Sequence, residues 1–114
     1  MKTSVIENRD YTEILLQGIK RLDELKKEVK AAVENDDVFK MYELLKYLNS
    51  EYFKHDKITE AKELILKLMN EDTDVIMKYS KLVTEFLTLE IEVIDEFTRM
   101  YKHLKMLEGQ KEKT

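Results

Sequence analysis

Residues 86–97, FLTLEIEVIDEF, decide the fold of this chain. They lie in the middle of an uninterrupted helical pattern that extends from about Val75 to Leu107. At about 100° per residue, the apolar side chains of this segment collect on one broad face of a helix. The members of that face are Tyr79, Leu82, Val83, Phe86, Leu87, Leu89, Val93, Ile94, Phe97, Met100, Tyr101 and Leu104. A face this wide predicts a helix that packs against two neighbours, so we expect an all-α protein.

The composition of the whole chain agrees with an all-helical fold. Hydrophobic residues are 43% and charged residues 39% of the 114 residues, which is typical of helices with one dry and one charged face. There is no Pro, no Cys and only two Gly, so little marks a sheet, a disulfide framework or a thiolate metal site. We expect one domain, residues 1–114.

The sequence also bears on location and source. No apolar run reaches the roughly 18 residues that span a membrane, and the first residues lack the apolar core of a signal peptide. We therefore expect a cytoplasmic protein without a membrane partner. Frequent Lys, Ile and Glu favour an AT-rich bacterial, archaeal or viral genome.

The first half of the chain predicts a short arm followed by a helix. Residues 1–9 are polar apart from one apolar pair, and we expect them to form an N-terminal arm. Asp10 is a suitable N-cap for a first helix over about residues 10–35. Gly18 lies on the apolar stripe of this helix, where a missing side chain allows close helix approach.

The phase of the apolar residues predicts a break in the middle of the chain. A second helix begins near Val38, and beyond it four apolar residues fall on the opposite side of the wheel: Ile58, Ala61, Ile65 and Leu68. We therefore place a break near residues 54–57 and a third helix over about 57–69. A loop at 70–74 precedes the long last helix, and residues 109–114 read as a flexible tail. Two layouts remain: an antiparallel helical bundle of four helices, or three arms with the middle arm broken.

Three polar residues lie on apolar faces, and we expect them to form a buried polar layer: Lys26, Asn49 and Glu90. In the three-arm layout, Lys26 and Glu90 are each sixteen residues from their predicted helix starts, so they would lie at the same height. Such a layer commonly fixes the register of a bundle, and a ligand-binding role is the alternative.

Motifs for catalysis, metals and cofactors are missing from the sequence. A di-iron bundle needs Glu-x-x-His pairs, and neither His55 nor His103 has a Glu three residues before it. A phosphate-binding loop would need more than two Gly. Arg99 and His103 are the residue types of the motif in HEPN-family helical ribonucleases, but they are separated by three residues rather than four to six. We therefore expect no catalytic, cofactor-binding or metal residues.

The leading interpretation is a small non-enzymatic bundle with coiled-coil-like packing. It would act by protein–protein interaction as an adaptor, assembly factor or chaperone, inhibitor or regulator, and its source would be bacterial, phage or viral. The alternatives are a degenerate HEPN-like RNase or a nucleic-acid-associated regulator. The net charge of −4 argues against nucleic acid, for which the candidate residues are Lys54, Lys57, Lys62 and Lys67.

One flank of the last helix predicts where a partner binds. This candidate interaction strip consists of Met77, Ser80, Thr84, Ile91 and Thr98. In so charged a chain, a solvated face would ordinarily carry Lys and Glu, so a neutral strip indicates contact with something. The partner would be another protein or a second copy in a homodimer. The alternative is that the third helix or the N-terminal arm covers the strip.

Overall fold

The computed structural model of the protein describes residues 10–112, which form five helices: α1 (Thr12–Glu34), α2 (Val38–Leu48), α3 (Glu51–Lys54), α4 (Lys57–Leu68) and α5 (Thr73–Glu112). There is no strand in this part of the chain. The all-α class is therefore confirmed. The molecule is elongated, with dimensions of 71 × 25 × 19 Å.

The helices α1 and α5 lie side by side and run in the same direction. Near the start of both, the backbone N–H of Tyr11 donates to the Tyr79 hydroxyl at 3.1 Å. Beyond the end of α1, a ring nitrogen of His103 lies 2.6 Å from a carboxylate oxygen of Asp36. Two contacts at opposite ends, both between residues 67 or 68 positions apart, fix a parallel register.

The helices α2, α3 and α4 form a middle arm that runs antiparallel to α1. Near the beginning of the arm, Lys40 Nζ lies 3.9 Å from the Glu28 carboxylate in the second half of α1. Further along, Ala61 packs against Gly18 in the first half of α1. The middle arm therefore passes α1 from end to beginning, and it packs chiefly on α1 rather than on α5.

The helices α1, α4 and α5 meet in close contact at Gly18. A Cβ at position 18 would lie 2.5 Å from the Cβ of Ala61 and 3.0 Å from a ring carbon of Phe86. These distances leave no room for a side chain, so the predicted close approach at Gly18 is confirmed. The buried apolar residues around it form one continuous cluster.

The middle arm is interrupted twice. The interruption at His55 and Asp56 confirms the predicted break, and the Asp56 carboxylate caps α4 by accepting from the backbone N–H of Ile58 at 2.9 Å. A second interruption at Asn49 and Ser50 was not predicted. There, Ser50 has an extended backbone, with φ −91° and ψ 161°, and the short α3 begins after it.

The predicted antiparallel bundle of four helices is not confirmed. The described chain has five helices, and its two longest are parallel. α5 also continues through Gly109 to Glu112, past the predicted end at residue 107. A helix that is already long gains one hydrogen bond per added residue, so a single Gly does not stop it. The predicted N-terminal arm, residues 1–9, and residues 113–114 lie outside the described residues.

Candidate interaction surface

The predicted strip lies on a flank of α5 that no other described helix covers. All five of its residues are exposed, and Met77 and Ile91 each keep 67% of their surface accessible. Two of its hydroxyls donate to carbonyls of α5 itself: Ser80 Oγ to Met77 at 3.0 Å and Thr98 Oγ1 to Ile94 at 2.9 Å. The alternative of a strip covered by α4 is therefore not what the described residues show.

Three apolar side chains that the sequence assigned to the core lie among the strip residues. Leu87, Ile94 and Tyr101 have exposed fractions of 42%, 59% and 45%. Added to the strip, they complete a set of eight positions separated alternately by three and four residues. We call this set the outer seam: Met77, Ser80, Thr84, Leu87, Ile91, Ile94, Thr98 and Tyr101. None is charged, and this alternation is the heptad spacing of a coiled coil.

A groove runs beside the outer seam, between α5 and the middle arm. Its larger part has a volume of about 650 Å³ and opens between Leu48, Phe53 and Ile58 on one wall and Ile94, Phe97 and Tyr101 on the other. A smaller cleft of about 140 Å³ continues it toward the start of α5. The groove exists because the middle arm packs on α1 and leaves this side of α5 open.

One ion pair lies in the wall of the groove. The side chain of Glu90 is 20% exposed, and its carboxylate is 3.2 Å from Lys62 Nζ on α4. The predicted layer with Lys26 and Asn49 is not formed. Lys26 instead lies 3.4 Å from Glu92, and Asn49 is exposed at the end of α2.

The register of α1 against α5 explains why the layer does not form. The prediction placed Lys26 opposite Glu90, which is an offset of 64 residues (90 − 26). The contact between Tyr11 and Tyr79 sets the offset at 68 residues. Four residues are about one helical turn, so Lys26 is displaced along α5 and finds another carboxylate. At the level of Glu90, the middle arm contributes Lys62 rather than Asn49.

A buried carboxylate at the bend of the middle arm was not singled out by the sequence. Asp56 is 8% exposed and accepts hydrogen bonds from Arg21 Nε at 3.0 Å and from the Tyr47 hydroxyl. The Arg21 guanidinium also lies 5.7 Å from the centroid of the Tyr47 ring. The signal that could have found it was the phase break itself, because a helix that begins after a break favours a capping residue, and Asp56 is a suitable one.

The electrostatics of this cluster hold each group in one charge state. Burial acts to raise the pKa of Asp56, but hydrogen bonds from Ile58, Tyr47 and Arg21 outweigh it, so the pKa lies below its ordinary value. Burial and the neighbouring carboxylate raise the pKa of Tyr47. Near neutral pH, Asp56 is ionised, Tyr47 is neutral and Arg21 is charged. The cluster therefore joins α1, α2 and the start of α4 at the bend of the middle arm.

The pair considered for ribonuclease chemistry is divided between separate contacts. Arg99 Nε lies 3.2 Å from the carboxylate of Asp95, one turn earlier on α5. His103 instead faces Asp36 at the end of α1. The two basic side chains do not converge on one site.

The candidate basic patch is largely paired with carboxylates. Lys54, Lys57 and Lys62 lie 3.2 to 3.3 Å from Glu51, Glu60 and Glu90, respectively. Pairs of this kind offset much of the positive charge that phosphate groups would meet.

Metal-binding clusters and membrane-spanning helices are both absent from residues 10–112. Among the described side chains, which belong to residues 10–110, no three of His, Asp or Glu are grouped so that they could hold a metal ion. None of the five helices combines the length and apolarity that crossing a membrane requires. No protein-family model, curated protein or solved structure matches this chain.

Proposed function

We propose that this chain is a non-enzymatic helical protein that acts in the cytoplasm by binding another protein through the outer seam of α5. The role would be that of an adaptor, assembly factor or chaperone, inhibitor or regulator. The observation that supports this proposal is the seam itself. In a chain that is 39% charged, eight uncharged positions at heptad spacing remain exposed from Met77 to Tyr101. A partner helix packed along them would bury the apolar members as in a coiled coil.

The shape of the fold gives the same partner a place to lie. We infer that α1, the middle arm and α5 are the three arms of a bundle that lacks a fourth helix. Four-helix bundles bury a core on all sides, and here the groove of about 650 Å³ marks the side without a neighbour. A helix that lies against the outer seam would cover both the seam and part of the groove.

The alternative functions are less well supported. Three of the four candidate lysines have carboxylate partners, and the chain has a net charge of −4. Little positive charge is therefore available to bind the phosphate groups of a nucleic acid. Arg99 and His103 are each engaged by a different Asp, which leaves a nuclease without a pair of converging groups.

Site-specific photocrosslinking in the native host tests the proposal. A photoreactive benzoylphenylalanine replaces Ile91 in the seam, and a matched variant carries it at Glu85, which is exposed on the charged side of α5. We expect an adduct of discrete mass at position 91 that is absent at position 85 and is lost when Leu87→Lys is added. Equal labelling at both positions, or no adduct at either, would refute binding through the seam.

A further inference from the structure

We infer that the outer seam binds the outer seam of a second copy, with the two α5 helices antiparallel. This inference rests on the proposed function and names its partner. It is supported by the order of charges beside the seam. When two copies lie antiparallel, each positive charge in this order faces a negative charge of the partner. The seam is long enough for such a pair, because residues 77–101 extend over about 36 Å of helix.

The seam is compatible with a two-fold axis near residue 89. Each seam residue then faces the partner's residue that lies equally far on the other side of residue 89, so the two residue numbers add up to 178. Leu87 packs against the partner's Ile91 next to the axis, and Met77 packs against the partner's Tyr101 at each end. The two remaining layers pair a Thr with an Ile and a Ser with a Thr. All four kinds of layer are uncharged, as the core of a coiled coil requires.

The charges on one flank of the seam determine the direction. The residues at seven-residue intervals along this flank are Asp74, Lys81, Thr88, Asp95 and Lys102. In an antiparallel pair, such positions meet their own kind from the other chain, so Lys81 faces the partner's Asp95 and Asp74 faces the partner's Lys102. Thr88 meets the partner's Thr88 at the axis. Each charge on this flank therefore faces the opposite sign in four contacts. In two of them, Lys81 approaches Asp95, whose carboxylate also has Arg99 Nε at 3.2 Å.

A parallel pair does not have this complementarity. The flanking positions that approach each other in a parallel pair would bring Glu90 toward the partner's Asp95 twice. These carboxylates already have Lys62 and Arg99 at 3.2 Å, and their approach adds no contact between opposite charges. In the antiparallel pair, the other flank brings Glu90 toward the partner's Glu90. Each of these carboxylates already has Lys62 at 3.2 Å, so the two meet as neutral ion pairs.

The size of the contact predicts a reversible dimer. A helix pair of about 36 Å by about 10–12 Å covers roughly 400 Å² of each chain, or roughly 800 Å² in total. This footprint is below the roughly 1,200 Å² at which stable interfaces begin, so the mass should depend on concentration. The exposed Ser and Thr positions of the seam agree with a chain that also exists alone in water.

Sedimentation velocity over roughly 1 µM to 1 mM protein tests the pairing. We expect the mass of the wild type to rise from 13.7 kDa toward twice that value, and Ile91→Lys to remain a monomer throughout. Circular dichroism establishes that the variant remains helical. A wild type that stays monomeric over the whole range would overturn the inference.

A mixing experiment distinguishes specific pairing from non-specific association. Lys81→Glu alone places Glu opposite Asp95 twice, and Asp95→Lys alone places Lys opposite Lys81 twice, so each variant should dimerise at least tenfold more weakly than the wild type. Mixed in equal amounts, the two variants restore both pairs, and dimerisation should return. Lys78→Glu and Glu85→Lys make the same charge changes on the exposed polar side of α5 and should have little effect. Mixing without rescue would contradict the antiparallel arrangement.

Crosslinking provides an independent test of direction, because the chain has no Cys. A bis-maleimide linker of about 10 Å should join two copies of Thr88→Cys, which meet at the axis. It should not join copies of Lys102→Cys, which an antiparallel pair holds about 42 Å apart. Equal crosslinking of the two variants would indicate a parallel pair, in which both positions are equally far from their counterparts. If the chain is monomeric while Ile91 crosslinks to a different protein, the second-copy inference is wrong and the proposed function stands; no adduct of any kind removes both.

Discussion

The helix α5 carries two faces with the same spacing and different surroundings. At seven-residue intervals, the inner face places Tyr79, Phe86, Val93 and Met100, all of which are buried. Two positions earlier in each heptad, the outer seam places Met77, Thr84, Ile91 and Thr98, all of which are exposed. Phe86 has no accessible surface, whereas Ile91 keeps 67%.

The difference between the two faces is in side-chain size and polarity. The inner face carries aromatic and other large side chains in the buried core, and one of them, Phe86, packs against Gly18. The outer seam alternates apolar side chains with Ser80, Thr84 and Thr98, whose hydroxyls tolerate water. Heptad periodicity therefore indicates that a helix face can pack against another helix. The size and polarity of the side chains on that face indicate whether the fold requires the contact.

The largest expected effect is the loss of stability when Phe86 on the inner face is truncated, compared with truncation of Leu87 in the outer seam. At protein concentrations low enough for a monomer, Phe86→Ala should lower the free energy of unfolding by about 3–5 kcal/mol, because it opens a cavity among fully buried neighbours. Leu87→Ala, one residue along, should change it by less than about 1 kcal/mol. Urea unfolding of both variants measures this. Similar losses would mean that the two faces are equally buried in solution.

The next effect concerns the bend that keeps the middle arm away from the seam. Asp56→Ala removes the cap of α4 and the acceptor for Arg21 and Tyr47, and we expect a loss of about 2–4 kcal/mol in unfolding free energy. Asp56→Asn keeps an acceptor for the backbone of Ile58 and should lose less. Hydrogen exchange should show faster opening of α3 and α4 than of α5. Unchanged exchange rates in α3 and α4 would show that this cluster does not hold the bend.

The same carboxylate predicts how stability depends on pH. The folded-state pKa of Asp56 is lowered, so its contribution is complete above the unfolded-state pKa of about 3.9 and is lost as the pH falls through the folded value. The stability of the wild type should therefore decrease below about pH 4 more steeply than that of Asp56→Asn. Thermal melts from pH 2 to pH 6 compare the two.

The smallest effect comes from the two glycines. Gly18→Ala should destabilise the chain by about 1–2 kcal/mol, because a cost of about 1–3 kcal/mol for overpacking exceeds the gain of up to about 1 kcal/mol in helix propensity. A Cβ at position 109 would have no neighbouring atom within 4 Å, so Gly109→Ala should be neutral or stabilising by up to about 1 kcal/mol. A stabilising Gly18→Ala would show that the inner face has spare volume.

Much of the helix layout follows from local signals in the sequence. The start of α5 at Thr73 follows a polar loop, and the break at Asp56 follows from a cap and from apolar phase; these signals are legible within a few residues. The second break has neither Gly nor Pro beside it, and its local signal, Asn49 followed by Ser50, was missed because Asn49 was assigned to the apolar face of the second helix. The register of α1 against α5 depends on a contact among Gly18, Ala61 and Phe86, which no single helix pattern contains.

The candidate surface was predicted only in part for a related reason. A helical wheel placed Leu87, Ile94 and Tyr101 on the apolar arc, but it does not show which half of a wide arc a neighbour covers. That depends on the path of the middle arm, which bends where Asp56 meets Arg21 and packs on α1. Five members of the outer seam were named from the sequence because they lack charge. The other three were identified only from their exposure.

The elongated shape of the chain affects how its mass is measured. Its radius of gyration of 17.8 Å exceeds the roughly 13 Å of a compact chain of this length. A gel-filtration column responds to hydrodynamic size, so a single chain would elute as a larger globular protein does. Two copies lying side by side along α5 would double the mass while adding width rather than length. The frictional ratio would then fall as the mass rises, and this combination separates a paired rod from a single one.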